Sequence, residues 1–389
     1  TMARLFTTMR LVLSAAWLVF SVAAGPVEVK LLKTPDDGIQ PQALVDTNGV
    51  LHLIYFKGNA SHGDVFYIRQ APGSDQFSQP LQVNSKPGSV LAVGSVRGAQ
   101  LALGKNGRPH VAWMGNDQAT PVILGGQRRS PMEYTRLNDA GTAFEPERNV
   151  LTWAYGLDGG GSVAADSKGN VYVAWHGTGP NDQKGEAGRG VFIAHSVNEG
   201  KTFAKETQAN PPMTGACGCC GMRVMATDDG KIYLLYRAAI EGVDRDMILL
   251  AGGGKSKSYQ SMVLSPWNLK VCPMSTTFLA ASASNVLAAW ENQEQVGFSM
   301  VDPAAKLTKS ITPSGFGKRK HPALAQNRNG DIVLAWTEDT GWMKGGTFAW
   351  QTFDKEGKPL GGLTNGDGVP VWGLVAVVAK PTGEFVLIY

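Results

Sequence analysis

The chain has four cysteines, and all of them fall in two short segments. Cys217, Cys219 and Cys220 crowd into the run Gly215-Ala216-Cys217-Gly218-Cys219-Cys220-Gly221, and Cys272 stands alone. Two chemistries are open to them. An even cysteine count in an exported chain points to disulfides, with Cys272 a partner for Cys217, Cys219 or Cys220. Thiolates and thioethers also select soft or borderline ions, which makes copper or zinc the candidate cofactor, with His176, Met274 and His321 as further donors. The spacing decides neither, because Cys-x-Cys-Cys is not a usual zinc pattern and crowds its thiols. Glycines at 215, 218 and 221 are expected to take dihedrals closed to other residues, letting the chain fold tightly around the sulfurs.

A second group of residues suits saccharide chemistry. Glycoside hydrolysis needs one carboxyl as proton donor and another as base or nucleophile; Asp158, Asp246, Glu291 and Glu338 are the supply. Arg237, Arg245 and Arg319 carry planar forks that match a carboxylate in a bidentate way. Trp153, Tyr155, Trp342 and Trp372 have faces suited to stacking on sugar rings or to packing between sheets. His176 and His321 have the side chain that titrates nearest neutrality, yet neither lies in a metalloprotease-type His-Glu-x-x-His motif.

The elements that must position these residues repeat seven times. Each copy is an apolar strand, a polar turn with Gly or Asn, and a second apolar strand that often ends in an aromatic. The copies begin at Pro41, Ala99, Gly161, Met222, Thr276, His321 and Gly373. Further strand candidates lie between most copies, for example Gly190 to Ser196 and Thr202 to Thr207. Each unit therefore reads as a four-stranded antiparallel meander, lettered A to D from the axis outward. A self-similar unit of roughly 50 residues predicts an all-β propeller, because one meander cannot bury both faces while neighbouring blades can. Seven blades are preferred, six the alternative. Val27 to Leu32 is expected to close the ring beside the C-terminal pair, leaving that blade one strand short and removing an exposed edge.

Strand direction sorts the loops. A–B and C–D turns share one face, here the lower; B–C and D–A connections share the upper. The lower turns are short and repetitive, the upper loops long and varied, as binding loops are. Every residue in the two candidate groups lies at the upper face, with the cysteines near the axis between blades 4 and 5.

Residues 1–24 read as a secretory signal peptide: Arg4 and Arg10 precede the apolar run from Leu11, and Val22, Ala23 and Ala24 suit cleavage before Gly25. The mature domain is then 25–389, a single domain with no further apolar stretch of spanning length, exported to a periplasm or secreted. Removing Arg4 and Arg10 takes the 36 basic side chains to 34, against 32 acidic ones. That balance offers no general attraction for nucleic acid or anionic membranes. A closed ring needs no partner for a sheet edge, so a monomer is expected.

The segment Ser196-Val197-Asn198-Glu199-Gly200-Lys201-Thr202-Phe203 resembles the Asp-box, or bacterial neuraminidase repeat, of the sialidase superfamily. Asn198 stands where the family has Asp, and Phe203 where it has Trp. Leu137 to Phe144 and Phe353 to Leu360 are weaker copies. The resemblance implies a propeller whose boxes are structural, through Ser196, Asn198, Gly200, Thr202 and Phe203, and lie opposite the active site. It further implies a site with three arginines around a sugar carboxylate, a Tyr–Glu nucleophile pair and an Asp acid/base. Arg237, Arg245, Arg319, Tyr155, Glu291, Glu338, Asp158 and Asp246 are the residues available for those roles. The family's early Arg-Ile-Pro segment has no counterpart. Three functions follow as expectations: a sialidase-like propeller binding a carbohydrate or other extracellular ligand, an exo-acting glycoside hydrolase, or a copper- or zinc-binding protein centred on the cysteines.

Overall fold

The computed structural model describes residues 27–179, 184–253, 258–282, 286–302 and 310–389. The signal-peptide segment lies outside them. Seven sheets follow one another along the chain and form an all-β propeller of seven blades. Blade 1 runs from the inner strand Ile39–Val45 through Leu51–Asn59 and His62–Gln70 to Leu81–Gln82. Blades 2, 3, 4 and 6 repeat this four-stranded antiparallel order, with inner strands Gln100–Leu103, Gly161–Ala165, Arg223–Ala226 and Arg319–Gln326. Among the described residues, blade 5 has three strands, beginning with Phe278–Ala281. A small hairpin, Val122–Leu124 with Gln127–Arg129, stands apart on blade 2.

Blade 7 shows how the ring closes. Its strands Ala376–Ala379 and Phe385–Ile388 are antiparallel, and Val29–Leu32 pairs parallel to Phe385–Ile388. The backbone N–H of Thr34 donates to the Tyr389 carbonyl at 2.6 Å and extends the seam.

The second strand of each blade is apolar without alternation because both its faces are buried. In blade 1, Leu53 and Tyr55 pack toward blade 7, whereas Ile54 and Phe56 pack toward blade 2. Seven such clusters each join two neighbouring blades, so the core is a ring of interfaces rather than one centre. Trp113, Trp175 and Trp336 end three of these strands fully buried. Burial of one large apolar side chain stabilises by roughly 1.5–3 kcal/mol.

Four of the lower turns share one device. A side-chain oxygen at the first turn position accepts the backbone N–H groups two and four residues on. Asp46 does so at 2.9 and 2.8 Å, Asp166 at 2.9 and 2.9 Å, Asn327 at 2.9 and 3.0 Å, and Asp354 at 3.0 and 2.8 Å. This is the local bond for which Asp and Asn are favoured in turns. The Ser196–Phe203 turn also lies on this face. Its Ser196 Oγ accepts from Gly200 N at 2.9 Å, Asn198 Oδ1 accepts from Thr202 N at 3.0 Å, and Phe203 meets Tyr134 edge-on at 4.9 Å.

Candidate metal centre on the upper face

The loop from blade 3 into blade 4 carries the cysteine run toward the axis. It is pinned by backbone bonds from Ala216 N to Glu186 O, Cys217 N to Arg237 O, and Gly221 N to Ser275 O, at 3.1, 2.9 and 2.9 Å. Two glycines explain why no bulkier loop fits. Gly215 has φ +60°, and a Cβ there would lie 2.6 Å from the Ala239 carbonyl oxygen. Gly218 has ordinary backbone, but a Cβ would fall 1.7 Å from the Arg189 guanidinium. Of the three glycines, only Gly215 uses the left-handed region; Gly218 is held by the Arg189 guanidinium, and a Cβ at Gly221 would make tight 3.1–3.3 Å contacts with Thr276.

Cys219 and Cys272 form a disulfide, with Cα atoms 6.3 Å apart, bridging the loops that enter blades 4 and 5. Cys217 and Cys220 are free and buried. The Cys217 sulfur lies 3.4 Å from that of Cys219 and 3.3 Å from that of Cys220. Burial and the charge of Cys220 both hold the Cys217 thiol above its ordinary range, after the larger effect of its hydrogen bond with Cys220. For Cys220, burial acts upward, but the bond from Cys217 and the Arg237 charge outweigh it and bring the thiol down to about 6.

Glu186 completes the cluster from the blade 3 loop preceding Gly190–Ser196. One carboxylate oxygen lies 3.7 Å from the Cys272 sulfur, and the other takes a 2.7 Å ion pair from Arg245. Ligand atoms of Glu186, Cys217, Cys219 and Cys272 all lie within 4.8 Å of one another, a candidate metal-binding cluster. Tetrahedral thiolate ligands of one zinc stand roughly 3.8 Å apart, so the spacing suits a soft or borderline ion once the Cys219–Cys272 bond is reduced, since disulfide sulfurs are not thiolate donors. Glu186 was not visible in sequence as a donor, since a lone acid in a polar loop carries no pattern. Its place on the blade 3 B–C loop, beside the loop that leaves the same blade, is the topological signal that identifies it.

Around the cluster, every arginine named from sequence already holds a carboxylate. Arg237 faces Glu291 at 3.7 Å, Arg245 faces Glu186, and Arg319 faces Glu338 at 3.2 Å. Two arginines that sequence reasoning missed, Arg97 and Arg189, converge on Asp158 at 2.7 and 3.5 Å. The three forks therefore serve three separate acids. Burial pushes the Glu291 carboxyl up to about 7, against the pull of Arg237. Asp246 accepts from Trp267 N at 2.9 Å and orders its loop. Tyr155 lies under the Arg129 guanidinium at 4.1 Å, and Trp153 is anchored by its indole N–H to the Glu206 carbonyl at 3.1 Å.

His176 is fully buried, and neither ring nitrogen has a hydrogen-bond partner among the described residues. Burial drives it down to about 3; nearby Arg189 pushes the same way and Asp158 opposes. His321 sits elsewhere, on a bulge in strand Arg319–Gln326 with φ +54°, its Nδ1 accepting from Thr276 N at 3.3 Å. A matching bulge precedes Pro41 and turns Gln40 inward, where its amide donates to Ala92 O at 2.6 Å. His321, Met274, Trp342 and Trp372 line a small cavity of about 30 Å³. The two tryptophans meet edge-to-face at 6.0 Å, and Trp342 is 54% exposed. The upper face thus separates into a sulfur-rich half at blades 3 to 5 and an aromatic half at blades 6 and 7.

A larger cleft of about 810 Å³ opens between blades 1 and 2 on the lower face. It is walled by turn residues, and its His52 is bonded to the Tyr67 hydroxyl at 2.7 Å, as His110 is to Tyr134 at 2.6 Å. That recurrence in two blades marks a packing device. Among the described residues, no helix is long and apolar enough to cross a membrane.

Neither a protein-family profile nor a curated protein sequence matches the chain. Solved structures match at low identity. A six-bladed fungal lectin that recognises fucose, from Aleuria aurantia, superposes with a TM-score of 0.50 at 13% identity, over 86% of this chain and 95% of the lectin. A Hadza microbial sialidase gives 0.49 at 11% identity, over 77% of this chain and 63% of its own, so the chain spans under two thirds of that protein. The intramolecular trans-sialidase of Ruminococcus gnavus gives 0.44 at 10%, covering 89% and 88%. What the likeness to the lectin shows is the propeller fold itself, with seven blades here in place of its six.

Proposed function

We propose that this is an exported β-propeller that binds a thiophilic metal ion, Cu(I) or Zn(II), at the cysteine cluster of its upper face. The observation that supports this reading is the gathering of Glu186, Cys217, Cys219 and Cys272 ligand atoms within 4.8 Å, with the Cys220 sulfur beside Cys217. Arg245 orients the carboxylate from behind, as outer-shell partners of metal ligands do. Reduction of the Cys219–Cys272 bond by an external dithiol, taking two electrons and two protons, presents all four thiols. A bound ion would add charge to a partly buried site, with Cys217 out of solvent and Glu186, Cys219 and Cys272 partly exposed; the chain's own residues supply the donors and their orientation. The leader pattern supports export, and reading the Ser196–Phe203 turn as an Asp-box belongs to the same proposal. Elemental analysis of the reduced full chain, loaded with Zn(II) or Cu(I) and desalted, should give about one ion per chain. In the Cys217→Ser/Cys272→Ser variant the content should fall below a tenth of that, with unchanged near-ultraviolet dichroism. Equal metal content in parent and variant would sink the reading.

A carbohydrate ligand has its own support in the exposed Trp342 and its neighbour Trp372. Those rings suit sugar stacking, and the expected outcome on a glycan array is retention of at least one saccharide, reduced about tenfold or more by Trp342→Ala. Identical array profiles for parent and variant would remove this second reading.

A further inference from the structure

The seven inner strands enclose an axial channel of about 430 Å³. Its wall is built from Ala, Leu, Val and a few neutral polar residues, and Arg223 is the sole charged residue among the described ones that line it. Arg223 is the first residue of its strand, at the upper rim just below the cysteine loop. Its Nη2 donates to Gln42 Oε1 at 2.8 Å, its Nε donates to the Thr277 carbonyl at 3.2 Å, and its fork lies over the Phe278 ring at 5.1 Å. Among the described residues, no carboxylate comes within ion-pair distance of it, in contrast to the buried Arg136, Arg237, Arg245 and Arg319. Desolvation alone lowers it to about 10.

A guanidinium held by neutral acceptors in an apolar wall is an uncompensated charge, unfavourable until an anion meets it. The two bonds it makes fix the orientation of the fork and leave Nη1 to the channel. Inorganic anions are strongly hydrated, and the Ala, Leu and Val side chains that make up most of the wall below Arg223 offer no donors to replace that water, leaving Gln42, Ser162, Gln326 and edge backbone groups as the few that could. An organic anion with an apolar body satisfies both parts at once.

We propose that the axial channel is a binding site for a small amphiphilic monocarboxylate, its carboxylate on Arg223 and its apolar body along the inner strands. The site is separate from the metal cluster, and the proposal does not depend on metal binding.

Calorimetric titration of the full chain with benzoate tests it, with sulfate and neutral benzyl alcohol as controls. Benzoate should bind one site, and both controls at least tenfold more weakly. Arg223→Met should weaken benzoate at least tenfold, while Arg223→Lys keeps the charge without the fork and should weaken it less. Because the parent carries an unpaired charge, ligand-free Arg223→Met should melt no lower than the parent; a purely structural arginine would leave it several degrees lower. Absence of benzoate binding, sulfate binding equal to benzoate, or a lower melting temperature in ligand-free Arg223→Met would each overturn the proposal.

Discussion

The two faces of the ring treat their polar groups in opposite ways. On the lower face, Asp46, Asp166, Asn327 and Asp354 each close their own turn with two backbone bonds, so the turn needs nothing from outside. On the upper face, both ring nitrogens of His176 and buried atoms of Gln40, Arg189, Arg245 and Glu291 lack hydrogen-bond partners among the described residues, those of Arg189 and Glu291 being held only by longer ion pairs; on the lower face His52 Nε2 likewise lacks one and faces Asp46 at 3.4 Å. Unmet buried polar groups are rare in native proteins, and a cluster of them has a cause. The lower face is largely closed by its own sequence, whereas the upper face holds more of the unmet groups, and the ligands proposed above would engage that face. Stability and ligand capacity should therefore reside on different faces.

Substitutions break or sharpen this division. The largest expected effect is on the lower face at Gly200, where φ is +77° and a Cβ would stand 1.8 Å from the Tyr134 hydroxyl. Gly200→Ala should lose about 3 kcal/mol in denaturant unfolding, through strain and displaced packing, with metal content unchanged. Loss of metal with that substitution would show that the faces are coupled. A smaller effect of opposite sign is expected at Glu133, a buried acid in the upper half of blade 2. Burial and the charge of Glu147 raise its carboxyl to about 7, against Lys86. Its pKa is higher folded than unfolded, so it binds more protons in the native state. Stability is greatest below the unfolded value near 4.5 and declines as pH rises to about 7. Glu133→Gln should leave unfolding free energy nearly unchanged at pH 4.5 and raise it by about 2 kcal/mol at pH 8. Melts at the two pH values decide it, and parallel curves for parent and variant would count against a carboxyl raised by its burial.

The scaffold was legible because its signals are local and repeated. Each apolar strand pair reports its two buried faces directly, as Leu53 and Ile54 do by packing toward different blades. The closing role of the early strand was legible for the same reason: an apolar strand without a meander of its own needs a partner. The upper face was legible in outline only. Strand direction placed all four cysteines there, yet the choice of Cys219 for Cys272 depends on a difference of one residue that no spacing encodes. Glu186, Arg97 and Arg189 were missed because they stand in loops of irregular backbone, where function depends on juxtaposition across blades. The arginines at 237, 245 and 319 were found by type, but their separate carboxylates emerge only in three dimensions.

The closure of blade 7 also sets a schedule. Val29–Leu32 is made before the first blade, and its partner Phe385–Ile388 only after the six blades between them. Until that partner arrives, the first strand waits while six blades assemble, and the ring stays an open arc. Joining ends so distant in sequence is slow in the way of all non-local pairing. The waiting strand is an adhesive edge that a chaperone has reason to hold, and the ring closes only once all seven blades have been made.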